Sequence, residues 1–250
     1  MALQERYGTR PFGPDTTAGV GVQMVLLEVI CRAVGLGPAG WLTGSAFAVA
    51  TWAALTHALR RSWTRSFGPA NRVTLARATL VGGVAALVAD SYGGQAPVEA
   101  LIGLATVALI LDAVDGHVAR RTETATPLGA RFDMEVDAFL ILVLCVYLAT
   151  PLGPWVLCIG AMRYVFVAAS WLLPWMRGPL PPSTARKTVA ALQGIVLVVA
   201  GAGIVPRAAA FTLVAAALAL LTWSFGRDTG WLWRSRCREA AARGAGATAV

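Results

Sequence analysis

The sequence predicts an all-α membrane protein: a six-helix transmembrane core preceded by an additional N-terminal helical hairpin. Three observations carry that reading. Apolar runs of about 20 residues, the length needed to cross a bilayer, recur along the chain between short breaks rich in Pro, Gly and Arg. Hydrophobic residues make up 57% of the 250 positions and charged residues only 14%, outside the range of a soluble domain. The basic residues crowd into alternate loops. The net charge of +8 flanks apolar segments instead of forming one face or a long run, which argues against nucleic acid as a partner.

Residues 1–18 read as a polar N-terminal tail; Pro11, Gly13 and Pro14 leave no sign of a cleavable signal there. Residues 19–66 form the hairpin and a basic linker. Its first run, Gly19 to Leu36, is the weakest, because Glu28 and Arg32 interrupt it at i, i+4; it either spans or lies in the interface. Gly37-Pro38-Ala39-Gly40 is a turn, Trp41 to Leu59 a clear span with an interfacial Trp at its start, and Arg60 to Arg65 a basic loop. The core, residues 67–226, offers spans at about 72–90, 97–119, 128–149, 154–176, 185–205 and 207–225. Residues 227–250 are a basic tail; Trp231, Trp233, Arg234, Arg236 and Arg238 fit a segment resting on the membrane before the chain becomes disordered. Cys31, Cys145, Cys158 and Cys237 show no metal or disulfide spacing and read as buried small hydrophobes.

Orientation follows from the arginines. The loops at 60–72, 120–131 and 177–187 and the tail carry 14 of the 20 arginines, whereas those at 91–96, 150–154 and 206–207 carry only Arg207. The positive-inside rule puts the first set in the cytoplasm. A multi-pass protein of the cell (inner or plasma) membrane is expected, with its functional site facing the cytoplasm.

That site is marked by carboxylates. Asp112, Asp115, Asp133 and Asp137 interrupt apolar segments, and each acidic group at membrane depth costs roughly 2.5–3.5 kcal/mol on insertion scales. On a helix Asp112 and Asp115 share a face that Gly116 and Ala119 continue, and Asp133 and Asp137 lie one turn apart with Gly129 one turn earlier. Two antiparallel helices bring the four carboxylates together beside a lane of small side chains. Such a cluster needs protons or metal ions to neutralise it. All-oxygen ligands suit hard cations, Mg²⁺ first, which completes its shell with water and substrate phosphates. Two such ions beside the basic Arg120 describe a site for a pyrophosphate-bearing substrate.

The pattern D-x2-D-G-x2-A-R-x8-G-x3-D-x3-D, running from Asp112 to Asp137 with every fixed position present, resembles the signature of the CDP-alcohol phosphotransferase (CDP-alcohol phosphatidyltransferase) family. The resemblance extends over roughly Pro69 to Phe225 and includes Asn71-Arg-Val-Thr74-Leu-Ala-Arg77, similar to the opening of the family's first core helix. The extra hairpin departs from the minimal family pattern. The resemblance implies an integral membrane transferase that moves a phosphatidyl group from a CDP-linked lipid such as CDP-diacylglycerol to an alcohol acceptor and releases CMP. It implies two Mg²⁺ ions, with Mn²⁺ a possible substitute, held by Asp112, Asp115, Asp133 and Asp137, with Asp137 also the general base. It further implies membrane lipids as partners and a homodimer.

The same resemblance gives Gly116, Ala119, Asn71, Thr74, Arg77 and Gly129 the nucleotide side of the site, with Arg120 on a phosphate oxygen, as guanidinium suits bidentate phosphate recognition. Packing through small residues is the alternative for the glycines and Ala119. For Asn71, Thr74 and Arg77 it is a capping Asn and a snorkelling Arg. Arg163, isolated in the fourth core span, needs an anionic partner, and with Arg186 and Lys187 it is a tentative site for a phosphorylated acceptor such as glycerol phosphate or inositol phosphate. Glu135 projects away from the motif aspartates, and His57 and His117 read as bystanders. Two rival functions remain. A cation transporter or channel using the aspartates as an ion path predicts ion flux and no CMP release, and leaves Gly116, Ala119 and Arg120 without a role. The other is a non-catalytic membrane scaffold.

Overall fold

The structure is a computed structural model. It describes residues 14–61, 69–94, 97–122, 127–178 and 183–247, with side chains for 18–58, 73–94, 97–114, 129–178 and 183–238. Among the described residues there are eight α-helices and no strand. They are α1 (Pro14–Val34), α2 (Pro38–Arg61), α3 (Pro69–Ser91), α4 (Val98–Thr122), α5 (Pro127–Leu152), α6 (Leu157–Leu172), α7 (Thr184–Gly201) and α8 (Arg207–Ala247). Helices α1 and α2 are the expected hairpin, and α3 to α8 the six helices of the core. The chain divides into two compact units, Met1–Leu140 and Ile141–Val250, with the boundary inside α5.

In the first unit α3 packs on α1, α2 and α4. Ala78, Val81, Val84, Ala85, Ala86, Leu87 and Val88 are all buried, so the helix is covered around its whole circumference and is the hub of the unit. Gly82 sets how near its neighbours come: a Cβ there would lie 2.7 Å from the Gln23 amide on α1 and from Phe47 on α2, the small-residue contact that lets membrane helices close up. Helix α1 ends at Gly35, whose positive φ of 77° lets its N–H donate to the Cys31 carbonyl at 2.9 Å, a left-handed cap that favours glycine. Two residues on, the Gly37 N–H donates to Asp90 Oδ1 at 3.0 Å, fastening the α1–α2 turn to the end of α3. Glu28 and Arg32 pair at 2.8 Å on the exposed side of α1. Their charges answer each other across one turn and leave the helix unbroken.

In the second unit Gly160 of α6 meets the first turns of α5 beyond the boundary: a Cβ there would sit 2.7 Å from Leu142 Cα. Helices α7 and α8 pack together, and buried Gln193 donates from Nε2 to the Ala217 carbonyl at 2.7 Å. Ser183 caps α7, its Oγ accepting from the Arg186 N–H at 3.4 Å.

Five helical segments among the described residues are long and apolar enough to cross a membrane: Val73–Ser91, Gly129–Leu152, Pro154–Leu172, Thr184–Gly201 and Arg207–Arg238. Together with exposed Val22, Val25, Val29, Trp171, Leu172, Phe211 and Trp223, they make a multi-pass membrane protein whose outward side chains suit hydrocarbon. Helix α2 covers the span expected at 41–59.

Other boundaries shift for local reasons. The run expected at 154–176 is a 3₁₀ turn at Pro154–Val156, then α6, then a second 3₁₀ turn at Pro174–Arg177; each turn opens on a proline, which has no N–H to give a helix. Helix α7 stops at Gly201, just before Gly203 at φ 68°. The basic tail expected at 227–250, with disorder towards its end, is helix as far as Ala247, since α8 continues to that residue. No proline interrupts it, and Ala, Arg and Glu favour the helix. The cysteines also depart from expectation: Cys145 is buried, Cys31 half-buried, and Cys158 and Cys237 exposed, all four unpaired.

Candidate active site

The hub helix α3 points one charged side chain into the protein. Arg77 is fully buried, and its guanidinium faces α4 and α5. Nε donates to the Ala108 carbonyl of α4 at 3.3 Å. Nη1 lies 2.9 Å from Asp112 Oδ1, one turn further along α4, and also bonds Asp133 Oδ1. Nη2 bonds Asp137 Oδ1. Asp133 and Asp137 are presented together because an i, i+4 pair shares one face of α5. One oxygen from each of Asp112, Asp133 and Asp137 lies within 4.8 Å of the others. The carboxylates are 35–40% exposed whereas Arg77 is 1% exposed, so the cluster is floored by the arginine and open on the other side.

Three carboxylates among the described residues face one guanidinium. Oxygen donors alone, crowded and anionic, fit a hard divalent cation. A carboxylate has about four lone-pair sites, so a bond to Arg77 leaves capacity for a metal.

Of the other expected site residues, Asp115, Gly116, Ala119 and Arg120 fall in α4 and Asn71 in α3, but their side chains lie outside the described residues. His117 is in the same position. Thr74 is buried one turn before Arg77 on α3, on the face that carries the arginine. Gly129 is half-buried near the start of α5, one turn before Asp133, and Glu135 is exposed. Arg163 on α6 and Arg186 and Lys187 on α7 belong to the second unit. Arg186 Nη1 pairs with Asp228 Oδ2 of α8 at 3.2 Å, and Arg227 Nη2 donates to Ser183 Oγ at 2.8 Å. The charge of Arg186 is therefore already answered within the protein. Lys187 is exposed and Arg163 half-buried.

The residue that sequence reasoning undervalued is Arg77. An arginine six residues into an apolar run is ordinarily one that snorkels, and nothing local says otherwise. The available signal was the helical spacing of Asn71, Thr74 and Arg77, which aligns all three on one face, combined with the four aspartates on the next two apolar segments.

Residues 68–224 match the CDP-alcohol phosphatidyltransferase family. The chain belongs to that family. The match starts one residue before α3 and covers more than half the chain, leaving the α1–α2 hairpin outside it. Like the other CDP-alcohol phosphatidyltransferases, the chain is a transferase of phospholipid synthesis, from a family that uses divalent metal. No solved structure matches it.

Proposed function

We propose that this CDP-alcohol phosphatidyltransferase moves the phosphatidyl group of a CDP-linked lipid such as CDP-diacylglycerol onto the hydroxyl of an alcohol, releasing CMP. The observation that carries this is the convergence of Asp112, Asp133 and Asp137 inside the region that matches the family. Asp112, Asp115, Asp133 and Asp137 are the residues to hold two Mg²⁺ ions, or Mn²⁺ in their place. Bound there, divalent ions neutralise charge on the pyrophosphate and on the departing CMP.

The chain's own residues do the rest. The alcohol oxygen forms a new bond to the lipid-linked phosphorus while the bond from that phosphorus to the CMP oxygen breaks. CMP leaves with the electron pair, and the hydroxyl proton passes to the Asp137 carboxylate as general base. Gly116, Ala119 and Gly129 keep the nucleotide's path along the helices free of side chains. Arg120, Asn71 and Thr74 bind its phosphates and cytidine, and most of the rate gain is positioning and electrostatics. Arg163 and Lys187 supply positive charge for a phosphorylated polyol acceptor; Arg186 contributes to that role only by leaving Asp228. The arginine-rich loops favour a cytoplasmic site, where soluble acceptors are present, and the protein acts as a homodimer in the cell membrane.

The test uses purified protein with Mg²⁺ and CDP-diacylglycerol, offered glycerol phosphate, inositol phosphate, serine and simple alcohols, and scored for CMP. Acceptor-dependent CMP release is the expected result. Cation flux through reconstituted vesicles with no CMP under any acceptor would establish the transporter instead.

A further inference from the structure

Resting on the reading of Asp112, Asp133 and Asp137 as metal ligands, we propose that Arg77 is the positioning residue of that site, a fixed counter-cation that gathers the three carboxylates before metal arrives and remains among them afterwards. Two roles are open to an arginine here. A placeholder fills the cation site and swings out when metal enters. A positioning residue stays and sets where the ligands stand.

Burial and anchoring favour the second. Arg77 is fully buried in the hub helix, between the buried Thr74 and Val81 turns. It is tied to backbone as well as to carboxylates, through the Ala108 carbonyl at 3.3 Å. Its two terminal nitrogens are divided among the carboxylates, Nη1 to Asp112 and Asp133 and Nη2 to Asp137. One rigid planar group thus sets the separation between α4 and α5 at the level of the site. The contacts use a single oxygen of each carboxylate, and the acceptor capacity of a carboxylate exceeds one donor. Arginine and metal therefore bind the same three groups together.

The test compares full-length wild type with Arg77→Gln, Arg77→Lys, the double variant Arg77→Gln/Asp137→Asn, and Gly160→Ala, a packing control in the other unit. Thermal unfolding is followed in EDTA, and Mn²⁺ affinity is measured by electron paramagnetic resonance well below the melting temperature. Arg77→Gln removes the buried guanidinium that Asp112, Asp133 and Asp137 share, so its melting temperature in EDTA falls by roughly 10 °C, the size expected on losing one partner of a buried ionic cluster in a chain this long. The double variant removes one of the crowded carboxylates together with the guanidinium and recovers at least half of that loss. Arg77→Gln binds Mn²⁺ about 10–100-fold more weakly, the usual effect of losing a group that orients ligands. Arg77→Lys falls between, because a point charge cannot span three carboxylates. Gly160→Ala melts lower with Mn²⁺ affinity unchanged, which separates positioning from general stability. If Arg77→Gln fails to fold, Arg77→Lys carries the comparison. Mn²⁺ binding as tight as wild type or tighter in either single variant overturns the proposal, because it makes Arg77 a placeholder. A wild type that binds no Mn²⁺ overturns the metal-ligand reading itself, and the positioning role with it.

Discussion

Neutralising Asp112 is expected to barely change the metal-free protein and to abolish its response to metal. In Asp112→Asn the side chain keeps its size and a carbonyl acceptor for Arg77 but loses its charge. At the 2.9 Å separation from Arg77 Nη1, the lost attraction is about 6 kcal/mol with an effective dielectric near 20. Two repulsions disappear with it. At up to 4.8 Å from Asp133 and Asp137, each is about 3.5 kcal/mol on the same scale. The terms nearly cancel, leaving a balance of about 1 kcal/mol that solvent reduces further, because the Asp112 side chain is 40% exposed. In a protein of 250 residues such a change moves the melting temperature by about 2–4 °C. The assay is thermal unfolding of detergent-purified protein in EDTA and in millimolar Mg²⁺. Wild type should melt higher with Mg²⁺, since a ligand that binds only the folded state stabilises it. Asp112→Asn should melt within a few degrees of wild type in EDTA, show little or no Mg²⁺ increment, and release CMP at least about 100-fold more slowly. A drop beyond about 10 °C in EDTA, or a full Mg²⁺ increment in the variant, refutes the charge balance argued from these distances.

Three further outcomes are expected. Asp137→Asn should abolish acceptor-dependent CMP release while retaining much of the nucleotide binding, read by equilibrium binding of a CDP-lipid; normal turnover removes the general-base assignment. Arg163→Ala should raise the Michaelis constant for a phosphorylated acceptor about tenfold or more and leave that for the CDP-lipid within about twofold, a loss of 1.4 kcal/mol or more of acceptor binding; an unchanged acceptor constant ends the acceptor-site idea. Gly160→Leu should destabilise more than Gly160→Ala, which costs about 1–3 kcal/mol as an overpacked contact, because the added Cβ already lies 2.7 Å from the Leu142 backbone. Equal melting temperatures for the two would show that α6 can move away from α5 freely.

The sequence by itself determined the membrane class, the helix count of the core, the family and the identity of the acidic residues. Each of these is written in local pattern: run length against bilayer thickness, and helical spacing that puts Asp133 and Asp137 on one face. Proline chemistry was legible as well, but its consequence at Pro174 was not, because a single break does not say whether the helix resumes. The course of α8 to Ala247 was missed for a related reason, since a basic, Ala-rich tail reads equally as helix or as coil until its neighbours are known. What only the tertiary structure decided is partnership. Arg77 is 35 residues from Asp112 and 60 from Asp137 in the chain, and no local pattern distinguishes an arginine that reaches for the headgroups from one turned inward. Arg186 was equally ambiguous until α8 brought Asp228 to it. A charge in an apolar helix announces that it needs a counter-charge, and only the packing of the other helices says which one it has.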